Sequence, residues 1–208
     1  MKIVFFGDSI TDMGRSREIN HNAFGYGVGY VNFIASTLMG DNPEKYDIIN
    51  RGISGNRVVD LYARIKSDVW NYDPDVVSIL IGVNDVWHEI SSSNGVDLER
   101  YEKVYRMIIE DTKKRVPNVR FILLEPFVLQ GTATEERFEE FCEVKKYAKV
   151  VKKLAEEYNA DFVELQDKFD SAAKAHGGHY YLYDGVHPDV AGGKLIAEEW
   201  LKVFRSKL

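Results

Sequence analysis

The sequence predicts an α/β fold in which repeated βα units build a five-stranded parallel sheet. Short β-branched and aromatic runs alternate along the chain with longer segments whose apolar residues recur at helical spacing. The run Val76-Val77-Ser78-Ile79-Leu80-Ile81 is apolar at nearly every position, as expected of a strand covered on both faces. A chain of 208 residues and 23.8 kDa suits one domain around a single core, so residues 1–208 are expected to form one unit.

The first strand, 2–6, is the run Ile3-Val4-Phe5-Phe6 and stops at Gly7. A polar loop from Arg15 to Asn22 then leads to a helix over 26–39. The second strand, 46–50, runs into Arg51-Gly52-Ile53-Ser54-Gly55-Asn56, and a helix follows over 58–70. The third strand spans 75–81 and ends in Gly82-Val83-Asn84-Asp85. A helix over 98–116 and a strand over 120–124 come next. The longest helical pattern, 135–158, carries the stripe Phe138, Phe141, Val144, Ala148, Val151, Leu154, Ala155 and Tyr158. Lys145, Lys146, Lys149, Lys152, Lys153 and Glu156 fill the rest of its circumference as a solvated face. A short strand over 161–164 and a last helix over 189–204 complete the chain, with Pro188 suited to a helix's first turn.

With 45% hydrophobic and 29% charged residues the composition is that of a soluble globular protein. Lys and Arg total 27 against 33 Asp and Glu, a net charge of −6, which leaves no basic excess for a nucleic acid backbone. Asp8 interrupts the N-terminal apolar run before a signal peptide's hydrophobic stretch would be complete. No run of about 18 apolar residues exists to cross a membrane. The expectation is a cytoplasmic protein with neither nucleic acid nor membrane as partner. Cys142 reads as a small buried hydrophobe. His176 and His179 lack a third ligand at convincing spacing, so no metal and no organic cofactor is expected.

In an open parallel sheet, ligands bind beyond the carboxyl ends of the strands. Gly7-Asp8-Ser9-Ile10-Thr11 follows the first strand there, the Gly52–Gly55 stretch the second and Asn84 the third. Asp184-Gly185-Val186-His187-Pro188 precedes the last helix and can reach the same rim. A hydroxyl becomes a nucleophile when an imidazole takes its proton, and a carboxylate best fixes that imidazole. Ser9, Asp184 and His187 supply these three groups. Gly55, free of a side chain, and the Asn84 amide are candidate donors to an oxyanion.

These blocks resemble the GDSL or SGNH hydrolases, a family named for an invariant Ser, Gly, Asn and His in separated blocks. By position, Ser9 looks like the nucleophile, Gly55 and Asn84 like oxyanion-hole residues, and Asp184 and His187 like its acid and base. The Ser9 backbone N–H would be a further oxyanion donor. The stretches 7–15, 29–31, 50–56 and 81–87 are similar to bacterial intracellular acetylxylan esterases of this family. The resemblance covers essentially the whole chain and implies a three-layer αβα sandwich of flavodoxin-like type. It also implies a serine esterase that removes O-acetyl groups from small sugars such as xylo-oligosaccharides. Asp8, Asp85, Trp87 and Tyr183 adjoin these residues as candidate substrate contacts, although the similar esterases usually carry tryptophan where Tyr183 stands.

His21 and His88 are expected near the mouth of the site, and Tyr180 and Tyr181 join Tyr183 as possible platforms. A lysophospholipase or thioesterase with the same groups, or a noncatalytic sugar-binding relative, would share these sequence features. The similar esterases assemble into multimers, which makes a homo-oligomer possible, yet no segment here specifies an interface.

Overall fold

The computed structural model describes residues 1–18 and 22–207. Strands β1 (Lys2–Gly7), β2 (Asp47–Gly52), β3 (Val76–Leu80), β4 (Arg120–Leu124) and β5 (Asp161–Val163) pair in parallel in the order β2-β1-β3-β4-β5. Helices α1 (Ser9–Asp12), α2 (Ala23–Tyr26) and α3 (Tyr30–Asp41) lie between β1 and β2, and α4 (Val58–Asp68) between β2 and β3. Next come α5 (Val83–Ser92) and α6 (Leu98–Arg115), then α7 (Phe138–Phe141) and α8 (Val144–Tyr158). After β5 the chain forms α9 (Gln166–His176) and α10 (Val190–Arg205). The five strands fall where the sequence placed them, to within two residues at each end.

Side-chain alternation decides which helices cover which face. Phe5 and Ser78 are register partners on β1 and β3 and share one face. The Trp200 ring of α10 lies 5.2 Å from Phe5, and its Nε1–H donates to Ser78 Oγ at 2.9 Å. A serine in the most buried strand is thereby explained, because a fully buried indole needs an acceptor. Tyr30 of α3 meets the same Phe5 at 5.8 Å, and α3 packs along α10. Phe6 points the other way, under the guanidinium of Arg64 from α4 at 4.5 Å. There α4 packs on α6, and α6 on α8.

Two expected helices are each broken, for local reasons. The one over 26–39 is interrupted at Gly27, whose φ is +76°. A Cβ there would lie 2.5 Å from the Asp12 carbonyl oxygen, so the close passage beneath α1 requires glycine. The helix over 135–158 tightens at its start, where Glu143 N–H bonds Glu140 O and Lys145 N–H bonds Cys142 O. These i→i−3 bonds bend the chain without breaking its apolar stripe, which is why periodicity alone missed the junction. The bend carries Phe141 to Trp87, ring centroids 5.5 Å apart. The lysine-rich face of α8 is exposed.

Sequence reading also missed α5 and α9. Gly82, at φ +139°, turns the chain from β3 straight into α5, so Asn84 and Asp85 lie in a helix's first turn and not in a loop. The order 2-1-3-4-5 reverses direction between β1 and β3, and the crevice beyond their carboxyl ends is where such sheets bind ligands. Among the described residues, no helix is long and apolar enough to cross a membrane.

Candidate active site

Ser9 is the first residue of α1 and follows β1 with only Asp8 between Gly7 and itself. Asp8 caps the helix, its Oδ1 accepting the Ile10 N–H at 3.0 Å. The turn is tight because Gly7 has no side chain: a Cβ there would sit 2.4 Å from Thr11 Oγ1 and 2.5 Å from the Leu80 carbonyl. Sequence separation of 178 residues notwithstanding, Ser9 Oγ lies 2.8 Å from His187 Nε2.

His187 Nδ1 lies 2.7 Å from Asp184 Oδ2. The other carboxylate oxygen accepts backbone N–H groups of His187 at 2.8 Å and Val186 at 2.9 Å, so the three-residue spacing folds the carboxylate onto its own imidazole. The loop is held from the segment after β4: Leu129 N–H bonds Gly185 O, and Ala133 N–H bonds Asp184 O. Gly185 adopts φ +98°, and a Cβ there would meet the Leu129 carbonyl at 2.6 Å. A bridge between Leu182 and Pro188 closes the loop before α10.

Burial alone would raise Asp184, but hydrogen bonds from the His187 ring and from the His187 and Val186 backbones hold it below its ordinary range. Burial alone would lower His187, and the Asp184 hydrogen bond, the Asp184 charge and the Asp8 charge together outweigh that, leaving it raised. Such a pair keeps a carboxylate ionised beside a ring ready to take a proton. The arrangement is chemically suited to activating the Ser9 hydroxyl.

Gly55 occupies the turn after β2 at φ +81°, with no atom within 4 Å of where a Cβ would stand. Asn84 is buried in the first turn of α5, and its Nδ2 donates to Asn56 O at 3.1 Å. Asp85 accepts the Val58 N–H at the start of α4, 3.0 Å from Oδ1. The 55–58 segment and the head of α5 are thus joined directly. Asp8 and Asp85 are each only 1% exposed, and what they hold is backbone of this chain. Burial pushes Asp8 up to about 7 and Asp85 up to about 8, with the Asp8 charge adding to the latter.

Two aromatic rings flank the imidazole. Tyr183 is stacked on it at 5.7 Å and 15° and is half exposed, and Trp87 lies 6.0 Å away on a tilted plane. His88 is the next residue of α5, and its ring is lowered by burial and by Arg57. Tyr181 is partly buried between the rings of Tyr180 and His176. His21 lies outside the described residues. His176 and His179 are exposed, and among the described residues no group of three His, Cys, Asp or Glu side chains could hold a metal ion. Cys142 is partly buried at the α7–α8 junction.

Arg64, absent from the sequence-based candidates, braces the floor of the site. Its guanidinium donates to Gly7 O at 3.0 Å, Arg51 O at 2.8 Å and Asn56 Oδ1 at 2.7 Å, and pairs with Asp68. The ends of β1 and β2 and the loop beyond β2 meet on this one side chain. The one signal that the sequence carries for it is the i,i+4 spacing to Asp68.

The model of the GDSL-like lipase/acylhydrolase family matches residues 5–195. An acetylxylan esterase of Geobacillus stearothermophilus is 38% identical over 97% of this chain and 92% of its own length. Its crystal structure superposes with a TM-score of 0.86 over 97% of this chain and 92% of that one, at 39% identity. A structure from Parabacteroides merdae assigned as a GDSL-like lipase gives 0.92 at 41% identity, covering 97% and 94%. Serine, aspartate and histidine catalytic mutants of the Geobacillus enzyme are also among the similar structures. Sequence, fold and the order of the blocks agree: the chain is a carboxylic ester hydrolase and belongs to the GDSL-like lipase/acylhydrolase family.

Proposed function

We propose that the chain is a serine esterase that removes O-acetyl groups from small sugars, acetylated xylo-oligosaccharides foremost, through an acetyl-serine intermediate. The observation that carries this reading is the unbroken hydrogen-bonded line from Ser9 Oγ to His187 to Asp184. Support for the substrate comes from the similarity to an acetylxylan esterase and from the half-exposed Tyr183 ring beside the imidazole, a flat apolar face of the kind that stacks on pyranose rings.

In the proposed sequence, His187 takes the Ser9 proton as Oγ attacks the acetyl carbonyl. Negative charge developing on the carbonyl oxygen is met by the Ser9 and Gly55 backbone N–H groups and the Asn84 amide. His187 then gives its proton to the departing sugar oxygen. It next draws a proton from water, which attacks the acetyl-serine, and returns that proton to Ser9 Oγ as the ester bond breaks and acetate leaves, while Asp184 stays ionised and steadies the imidazolium. No metal or organic cofactor enters these steps.

Acetate release measured across a panel of acetylated xylo-oligosaccharides and other acetyl sugars tests the substrate, with p-nitrophenyl acetate and octanoate run alongside. Preference for acetyl over octanoyl, with turnover of the acetylated xylo-oligosaccharides, is expected. Preference for octanoyl would replace this reading with a lysophospholipase or thioesterase one.

A further inference from the structure

An oxyanion site assembled from three separate segments works only if its donors are held where charge will develop. Gly55 is the weak point: it stands in an exposed turn with open space beside it. Its N–H belongs to the planar peptide that joins it to Ser54, so whatever fixes Ser54 aims that donor. Ser54 is fixed by one carboxylate. Asp12 Oδ2 accepts the Ser54 backbone N–H at 3.0 Å and the Ser54 hydroxyl at 2.8 Å.

Asp12 stands three residues after Ser9, at the end of the same short helix, with its side chain only 2% exposed. The same Oδ2 accepts from Arg17 at 2.7 Å. Arg15 and Arg17 both donate to the carbonyl of Gly52, at 2.8 and 3.1 Å, and Gly52 itself lies against the Asp12 backbone. Nucleophile and oxyanion turn therefore share one support.

We propose that Asp12 is a positioning residue for the oxyanion site, orienting the Gly55 N–H through Ser54 and setting its distance from Ser9. This rests on the esterase mechanism above. It assigns a chemical task to a buried carboxylate that touches neither the substrate nor the reacting atoms.

The test is a double-mutant cycle on p-nitrophenyl acetate hydrolysis, with kcat and KM measured separately. Asp12→Ala is expected to lower kcat roughly 10²-fold while KM stays within about threefold, since the lost interaction matters to the transition state. Ser54→Ala, an exposed position that leaves its backbone N–H in place, should lower kcat about fivefold. The double variant should be no slower than Asp12→Ala alone, because the two act through one another. Asp12→Asn, which keeps an acceptor for Ser54, should recover part of the loss. Wild-type protein that fails to hydrolyse the ester would overturn the mechanism itself, and this inference with it. Wild-type turnover with unchanged kcat in Ser54→Ala, or with additive losses in the double variant, would overturn this inference alone. The Ser54 arm decides the matter even if Asp12→Ala does not fold.

Discussion

Gly52 ends β2 and Gly55 stands three residues later in the turn that follows, yet methylating them should fail in opposite ways. At Gly52 an added Cβ would fall 2.3 Å from Asp12 N, 2.6 Å from Thr11 C and 2.7 Å from Asp12 Cα. Ordinary contact is about 3.5 Å, so Gly52→Ala forces α1 and the end of β2 apart by about 1 Å. All three obstacles are backbone, and no rotamer change relieves them. A displacement of that size between nucleophile and oxyanion donors costs on the order of 10²-fold in rate, with roughly 1–3 kcal/mol of overpacking. At Gly55 nothing lies within 4 Å, and the cost is only the left-handed backbone at φ +81°, about 1–2 kcal/mol for alanine. Lower unfolded-state entropy offsets roughly 0.4–1 kcal/mol of that. Gly55→Ala should therefore lower Tm by no more than about 6 °C and keep kcat within about tenfold. Circular-dichroism melts and p-nitrophenyl acetate kinetics on both variants provide the comparison. Gly52→Ala with wild-type kcat and Tm would refute the packing argument.

The raised His187 places the acid limb of kcat/KM above the ordinary imidazole value: the base must be neutral, and its charged form persists to higher pH than usual. Asp184→Asn should shift that limb downward while reducing kcat, and an unmoved limb in the variant would break the link to Asp184. A second pH effect concerns stability. Asp8 rises from 3.8 to about 7 and Asp85 to about 8 on burial, so between about pH 4 and pH 7–8 the folded state keeps protons the unfolded chain has released. Stability falls as pH rises through that window. The Asp8 change is equivalent to about 4 kcal/mol. Asp8→Asn should then shrink the drop in Tm from pH 5 to pH 8 by roughly 5–10 °C, whereas an unaltered drop would show that Asp8 is ionised at little cost.

The parallel sheet was legible because strand runs such as Ile3-Val4-Phe5-Phe6 must be apolar on both faces, and composition carries that directly. Asp184 and His187 were legible because three residues suffice to fold a carboxylate onto a ring. Ser9 was assigned from its place after a strand. What stayed hidden depends on groups meeting from distant segments: Arg64 gathers the ends of β1 and β2 through two backbone carbonyl oxygens, and backbone acceptors leave no trace in residue type. The split at Gly27 and the α5 start at Gly82 were hidden for a related reason. A glycine shows that positive φ is permitted but not that the Asp12 carbonyl stands in the way.

Covalent labelling with a fluorophosphonate, followed by peptide mass mapping, tests most directly whether His187 activates Ser9. The account predicts one adduct, on Ser9, absent in Ser9→Ala and formed at least ~10³-fold more slowly in His187→Ala. Labelling of His187→Ala at the wild-type rate, or an adduct on any other residue with Ser9 untouched, would contradict it.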